Sequence, residues 1–464
     1  MGWVAFGYGL FLVAMGWWVA KRRGTDLGAF YNAHRQAHWV WAGLSMIGTA
    51  ISGLTFLSLP GAVRQDGWTY LQVLLGYLVG YTLVALLLLP RYYQLSRASI
   101  YEYFRHRLGP QAEKVAAITF LISRLLASSV RLYLALIVLQ LFFPQVPFPV
   151  LGLLSLMLIY IYAERGGTGT IIYTDLLQTL LFLGAGGLTL LYILTPEVRA
   201  TLRLPTIIDL SIESRHYFWK DFLGGVLLSF TMTGLDQDQM QKSLSMPDVT
   251  SAQRMIGLYA GLLVPVKLLF LLLGSALWAY VEVNGYPIPA RSDQLYASLA
   301  QQVFPFWVGA MFVVGLVSST LSSVDGALVA LTTVTLRSLF PPSWEKLFVK
   351  KLVFVSWVLL SWGITVYFYY FPPERHALDT FLKLGGYTYG PLLGLFLFSL
   401  MRGAPAEKTG RFIPWVVLGG FGAAIGLERG LNLDLGYGVI VWVAVAVLGG
   451  LLLMQWAIGN RSRR

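Results

Sequence analysis

GLVSSTLSSVDGAL, residues 315–328, lies in the middle of an apolar run, and its reading decides what kind of molecule this is. On a helix Ser319, Ser322 and Ser323 stand at i, i+3 and i+4, so they share one face and aim oxygens at one point. Asp325 follows two residues on. In a bilayer a hydroxyl loses its water partners and a carboxylate costs more still, so such a cluster faces a cavity or the inside of a helix bundle. Two readings stand at this point. One is a sodium site, because small hard cations take several oxygens and neither nitrogen nor sulfur. The other is packing, because Ser and Thr in membrane helices also bond back to the i−4 carbonyl and let two helices approach closely.

The surrounding chain favours a membrane setting. Its 464 residues are 56% apolar and 12% charged, with a mean hydropathy of +0.66. About 20 apolar residues span the hydrocarbon, and lipid offers the backbone no hydrogen bonds, so the spans are helices or a closed barrel. Continuous apolar runs, not two-residue alternation, select helices. The net charge of +12 would suggest nucleic acid in a soluble protein. Here the basic residues sit at helix ends, where positive-inside bias explains them and no nucleic-acid partner is expected. With no cysteine there is no disulfide framework, thiol chemistry or Cys-based metal site. The run from Trp3 to Ala20 lacks a charged start and a small-residue cleavage site, and reads as a retained first helix.

Thirteen spans are expected: 3–20, 37–63, 67–90, 112–142, 148–164, 169–195, 218–245, 252–282, 302–337, 347–370, 376–401, 411–428 and 435–457. Basic residues gather in the odd-numbered gaps: Lys21, Arg22, Arg23 and Arg35; Arg91, Arg97, Arg105, Arg107 and Lys114; Lys346, Lys350 and Lys351; Lys408 and Arg411; Arg461, Arg463 and Arg464. Placing these in the cytoplasm puts the N-terminus outside and the C-terminus inside. The loop 196–217 opposes this with Arg199, Arg203 and Arg215, and its acids Glu197, Asp209 and Glu213 soften the conflict only slightly. One membrane domain covers 1–464. It comprises a leading helix and loop (1–36), a first five-helix set (37–195), a second (196–401) and two trailing helices (402–464).

Two spans read as broken. SMIGTAISGLTFLSLPG at 45–61 carries two mid-span glycines, threonines and a proline, each of which weakens or removes an i→i−4 bond. TMTGLDQDQMQK at 231–242 puts two acids and three glutamines near the apolar core. Irregular backbone at membrane depth is tolerated where it lines a cavity or is buried in protein, and its freed carbonyls become ion ligands. A kink that eases packing is the alternative. The breaks open two successive five-helix sets, as an inverted repeat with a midplane site would have them. Asp175 in the sixth span needs a partner, either a cation or a structural hydrogen bond. Arg131, on one face with Arg124, meets a carboxylate solute or pairs with Asp236 or Asp175.

Enzymatic chemistry has little to stand on. His34, His38, His106, His216 and His376 fall in loops or at span ends and form neither an HExxH nor a Ser/His/Asp pattern. The chain is therefore not expected to be an enzyme.

Together the stretches 45–61, LPRYYQLSRASIYEYFRHRLG (89–109), GGTGTIIYTDLLQ (166–178), LDQDQMQKSL (235–244), 315–328 and GYTYGPLLGLF (386–396) resemble the sodium:solute symporter family over nearly the whole length. The resemblance implies an all-α membrane protein with the leucine-transporter-like five-plus-five inverted repeat, one helix before it and two after. It implies a Na+ site built from the carbonyls of Gly48, Ile51 and Ser319 and the hydroxyls of Ser322 and Ser323. The family pattern GLLAAxMSTLDSAL sets that register through Gly315, Asp325 and Leu328; a slide of three residues names Leu316, Ser319 and Thr320 instead. A second sodium in some members matches Asp175, Asp325 and position 326, where Gly326 has no side-chain oxygen. Substrate positions match Thr49, Thr55, Gln72, Arg131, Asp236 and Tyr387. The implied activity is sodium-driven import of a sugar, a sialic acid-like sugar acid, an amino acid or another organic anion, by alternating access across a bacterial cytoplasmic membrane. Rival readings are a proton-coupled transporter of the same fold, with Asp175 or Asp325 carrying the charge, and a non-transporting membrane sensor.

Overall fold

The computed structural model describes residues 2–95, 98–202, 205–289, 291–372, 377–401, 410–431 and 438–461. Arg97, Arg203, His376, Lys408, Arg463 and Arg464, named above for orientation or as interfacial side chains, lie outside the described residues.

Each of the expected spans contains helix. The first is α1 (Gly2–Arg23), followed by the short α2 (Leu27–Asn32), whose N-cap Asp26 accepts from the Gly28 N–H. The second is split into α3 (Trp39–Ala50) and α4 (Gly53–Asp66), which meet at a bend of 61°. The third runs from α5 (Tyr70–Leu83) through a π turn, Val84–Leu88, into α6 (Leu89–Leu95). After α7 (Glu102–Leu108) come α8 (Pro110–Phe142), α9 (Phe148–Gly166) and α10 (Thr168–Ile193), the first opened by a proline that needs no intrahelical donor there.

Past the outer helix α11 (Pro196–Thr201), the seventh span is again split, into α12 (Phe218–Gly234) and α13 (Gln237–Ser243). Then follow α14 (Val249–Asn284), capped by Asp248 and ended by left-handed Gly285, α15 (Leu295–Gln302) and α16 (Phe306–Val334), which closes in a second π turn, Thr335–Leu339. Finally come α17 (Leu347–Tyr370), α18 (Ala377–Met401), α19 (Ile413–Leu431) and α20 (Val439–Arg461). Among the described residues nine helices are long and apolar enough to cross a membrane, and the bent α3–α4 pair makes a tenth. The seventh, eleventh and twelfth expected spans are helical but fall outside that group.

Packing sorts the long helices into two groups. In one, α5 lies along α12, and α14 along α3, α4 and α5; in the other, α8, α9, α16 and α17 all touch one another. The contacts come in swapped pairs. The third span packs on the seventh as the second packs on the eighth, and the sixth packs on the ninth as the eleventh packs on the fourth. Two sets related by a pseudo-two-fold axis in the membrane plane give this pattern. Within the first group the helices are sewn together by glycine. A Cβ on Gly76 would collide with the Phe222 carbonyl, one on Gly225 with the Val73 carbonyl, and one on Gly274 would stand 2.5 Å from the Pro60 carbonyl. Backbones therefore meet without side chains between them.

Candidate functional site

The two breaks differ in how they treat the carbonyls they release. At the α12–α13 break Tyr92 donates its hydroxyl to the Gly234 carbonyl at 2.9 Å and Tyr101 donates to the Leu235 carbonyl at 3.1 Å. Gln237 ties the same corner down, giving its amide to the Ala98 carbonyl at 2.6 Å and accepting from the Ile100 N–H at 2.8 Å. That break is sealed by protein.

At the α3–α4 break the arrangement is different. Ile51 occupies the corner with φ −98° and ψ 89°, buried, and Gly48 lies one turn before it. The Gly48 carbonyl accepts from the hydroxyl of Ser322 at 3.0 Å, and the same hydroxyl lies 3.4 Å from the Ser319 carbonyl. The unwound end of α3 and the middle of α16 thus present two carbonyls and a hydroxyl to one another in a fully buried place; Ser319, Ser322 and Ser323 have no exposed surface. Gly48 also lets α3 lie close on α10, since a Cβ there would stand 2.6 Å from the Thr179 hydroxyl. Ser323 turns its hydroxyl to the Thr320 carbonyl at 2.9 Å. Ser319 and Thr320 both give theirs to the Leu316 carbonyl, at 3.0 and 2.7 Å, so in the alternative register those hydroxyls are spent within the helix. Thr320 meets the other side of the break, where a Cβ on Gly53 would come within 2.6 Å of its hydroxyl.

Several polar positions proposed for solute are engaged in holding the protein together. Gln72 donates to the His216 carbonyl and accepts from the Asp209 N–H, both at 2.9 Å, which fixes it to the loop before α12. Asp236 is the N-cap of α13: one carboxylate oxygen accepts from Asp238 and Gln239 N–H, and the other faces the Tyr389 hydroxyl and, at 3.5 Å, Arg124. Arg124 pairs with this acid and also with Asp238. Thr49 gives its hydroxyl to Asp175 at 3.1 Å. Thr55 and Tyr387 are half-buried, and Arg131 lies within electrostatic reach of Asp236, Tyr389 and Arg124.

Asp325 accepts from the Tyr162 hydroxyl and from the Gly326 N–H, each at 2.6 Å. Asp175 meets Lys242, a residue within the broken seventh span to which the motif reading gave no role. Lys267 was missed altogether. It stands alone in the apolar run of α14, buried, with its ammonium 5.1 Å from the Tyr70 ring and within electrostatic reach of Arg131. An unpaired lysine letter amid fifteen apolar neighbours was the signal available for it.

The sequence pattern of the sodium:solute symporter family matches residues 30–402. The chain belongs to that family. This family member is 23% identical to a sodium/sialic acid symporter of Proteus mirabilis over 96% of its own length and 93% of that protein's. It is 27% identical to the human sodium/iodide cotransporter over 91% and 69% of the two chains, and 24% identical to the human sodium-coupled monocarboxylate transporter 2 over 95% and 70%. Among solved structures it superimposes on the substrate-bound outward-open state of a Na+-coupled sialic acid symporter with a TM-score of 0.79, at 20% identity, covering 97% of both chains. A nucleobase-cation-symport-1 family transporter in a closed conformation gives a TM-score of 0.56 at 15% identity, covering 93% and 95%. The fold is accordingly the leucine-transporter-like one, the protein is a multi-pass membrane transporter and not an enzyme, and Na+ is its coupling ion.

Proposed function

We propose that this protein is a sodium-driven importer of a small organic anion, working by alternating access in a bacterial cytoplasmic membrane with its N-terminus outside and its C-terminus inside. The observation that carries the coupling is the 3.0 Å contact of the Ser322 hydroxyl with the Gly48 carbonyl. It makes a sodium ion, held by Gly48, Ile51, Ser319, Ser322 and Ser323, a bridge between the two helix groups. An ion bound in that bridge favours the arrangement in which the groups are closed on each other at this point, and a solute that prefers the same arrangement binds better with sodium present. By linkage the solute raises sodium affinity equally.

The anion preference rests on Arg131 and Lys267. Arg131 is half-buried and Lys267 buried, the two lie within electrostatic reach of each other, and Lys267 sets its ammonium 5.1 Å from the Tyr70 ring, so an anionic solute entering here meets basic side chains. Arg131, Thr55 and Tyr387 are the half-buried positions of the expected solute pocket, whereas Thr49, Gln72 and Asp236 are buried and hydrogen-bonded within the protein. Relatives named for sialic acid, iodide and monocarboxylates agree with an anionic cargo.

The test is uptake into proteoliposomes carrying an imposed sodium gradient, with a panel of radiolabelled sugar acids, monocarboxylates, amino acids and neutral sugars. Accumulation of an acid that stops when potassium replaces sodium at fixed pH supports the reading. Accumulation of a neutral sugar rejects the anion assignment, and uptake driven by a proton gradient without sodium rejects the coupling.

A further inference from the structure

We propose that Lys242 is a built-in cation that fills the place of a second sodium, so that this transporter binds one sodium ion per cycle; the inference rests on the sodium-coupled reading above. Lys242 is buried, and its ammonium is surrounded by oxygens from two other elements: Asp175 Oδ2 at 2.5 Å, Thr49 Oγ1 at 2.5 Å, Ser45 Oγ at 2.9 Å and the Ser45 carbonyl at 3.3 Å. Four oxygens, one of them charged, with no nitrogen or sulfur, form the kind of ligand set that a hard monovalent cation takes. Here a tethered ammonium occupies it.

Charge and space agree. Asp175 is fully buried, and a carboxylate in such a place needs a positive partner. Lys242 supplies that charge on a side chain tethered to the protein, so an ion added beside the pair would bring an uncompensated charge into the bilayer interior. Asp175 Oδ1 takes no protein donor, but the charge of the carboxylate is already met on its other oxygen. The remaining positions expected around a second sodium are also unsuited to it. Asp325 is held by Tyr162 and Gly326 N–H, and any side chain at 326 would run into the Asp238 carboxylate.

The experiment measures 22Na+ binding to the purified full-length protein in detergent, with choline chloride keeping ionic strength constant and no solute added. Thermal unfolding is followed in the same salts. Wild type is expected to bind one sodium per chain. Lys242→Ala is expected to bind two, and its melting temperature should rise with sodium but not with choline. Lys242→Ala combined with Asp175→Asn should return to one sodium and lose that extra salt dependence. Two sodium ions on the wild type, or a Lys242→Ala protein that holds one and gains no stability from sodium, overturns the proposal, as does failure of Lys242→Ala to fold in any sodium concentration while the double variant folds. No sodium on the wild type with one on Lys242→Ala would instead remove the Gly48–Ser322 site and leave the tethered cation standing.

Discussion

Ser322 and Ser323 are neighbours with the same side chain, yet the structure gives them different work, and that difference can be measured. The Ser322 hydroxyl faces the Gly48 carbonyl across two helices, whereas the Ser323 hydroxyl is turned to the Thr320 carbonyl of its own helix. Ser322→Ala should raise the sodium concentration for half-maximal thermal stabilisation by on the order of tenfold, the equivalent of about 1.4 kcal/mol for one lost ligand. Ser323→Ala should shift it less; equal shifts would show that both hydroxyls turn to the ion. The shared face of the three serines was legible in the sequence, because a 3.6-residue period places hydroxyls without knowledge of the rest; the register and the partner near residue 50 came only from the family resemblance. The partners of the charged residues were not. The family resemblance names Gln72 and Asp236 as pocket positions, and polarity at membrane depth does not separate a solute ligand from a strut; the structure ties them to the 209–216 loop and to Arg124 and Tyr389.

At the level of the element, the first helix break could be read from its Gly, Thr and Pro content and the second from the acids and glutamines that follow Gly234, but their fates could not. The tyrosines that seal the α12–α13 break come from positions 142 and 134 residues earlier, and no local pattern announces them. The α3–α4 break depends on bare backbone against α16. Gly53→Ala would set a methyl 2.6 Å from the Thr320 hydroxyl, forcing α4 away from α16 at a cost on the order of 1–3 kcal/mol. Sodium affinity should fall with stability, since the ion's carbonyls and the serines are moved apart. Adding Thr320→Ala removes the obstructing hydroxyl and should restore both, as read from melting curves with and without sodium. A double variant no better than Gly53→Ala would mean that the glycine is needed for backbone conformation and not for closeness.

For the whole molecule, the ends of the two broken spans are drawn together by one histidine. His216 places Nε2 3.2 Å from Asp66 at the end of α4 and Nδ1 3.1 Å from Asp221 at the start of α12, and these two carboxylates push its pKa up to about 9. A folded-state pKa above the unfolded value near 6.5 means that the charged imidazole stabilises the fold fully below about pH 6.5 and progressively less as pH rises through 9. Melting temperature should therefore fall between pH 7 and 9.5 by the equivalent of about 1–2 kcal/mol after allowance for solvent screening. His216→Asn should flatten that fall; an unchanged profile would assign it to other groups. The glycine contacts between α5 and α12, and between α14 and α4, point to a mechanical consequence. Side chains that interlock can trade rotamers and let two rods slip past one another by small steps, but naked peptide planes pressed together have nothing to trade. Glycine joins the rods in two pairs, and α5 packs on α14 between them, so the four should tilt as a single slab. Whatever hinge action carries cargo inward is then taken up where that slab rests on α16, and a metal ion lodged between Gly48 and Ser322 would act as the bolt across that joint.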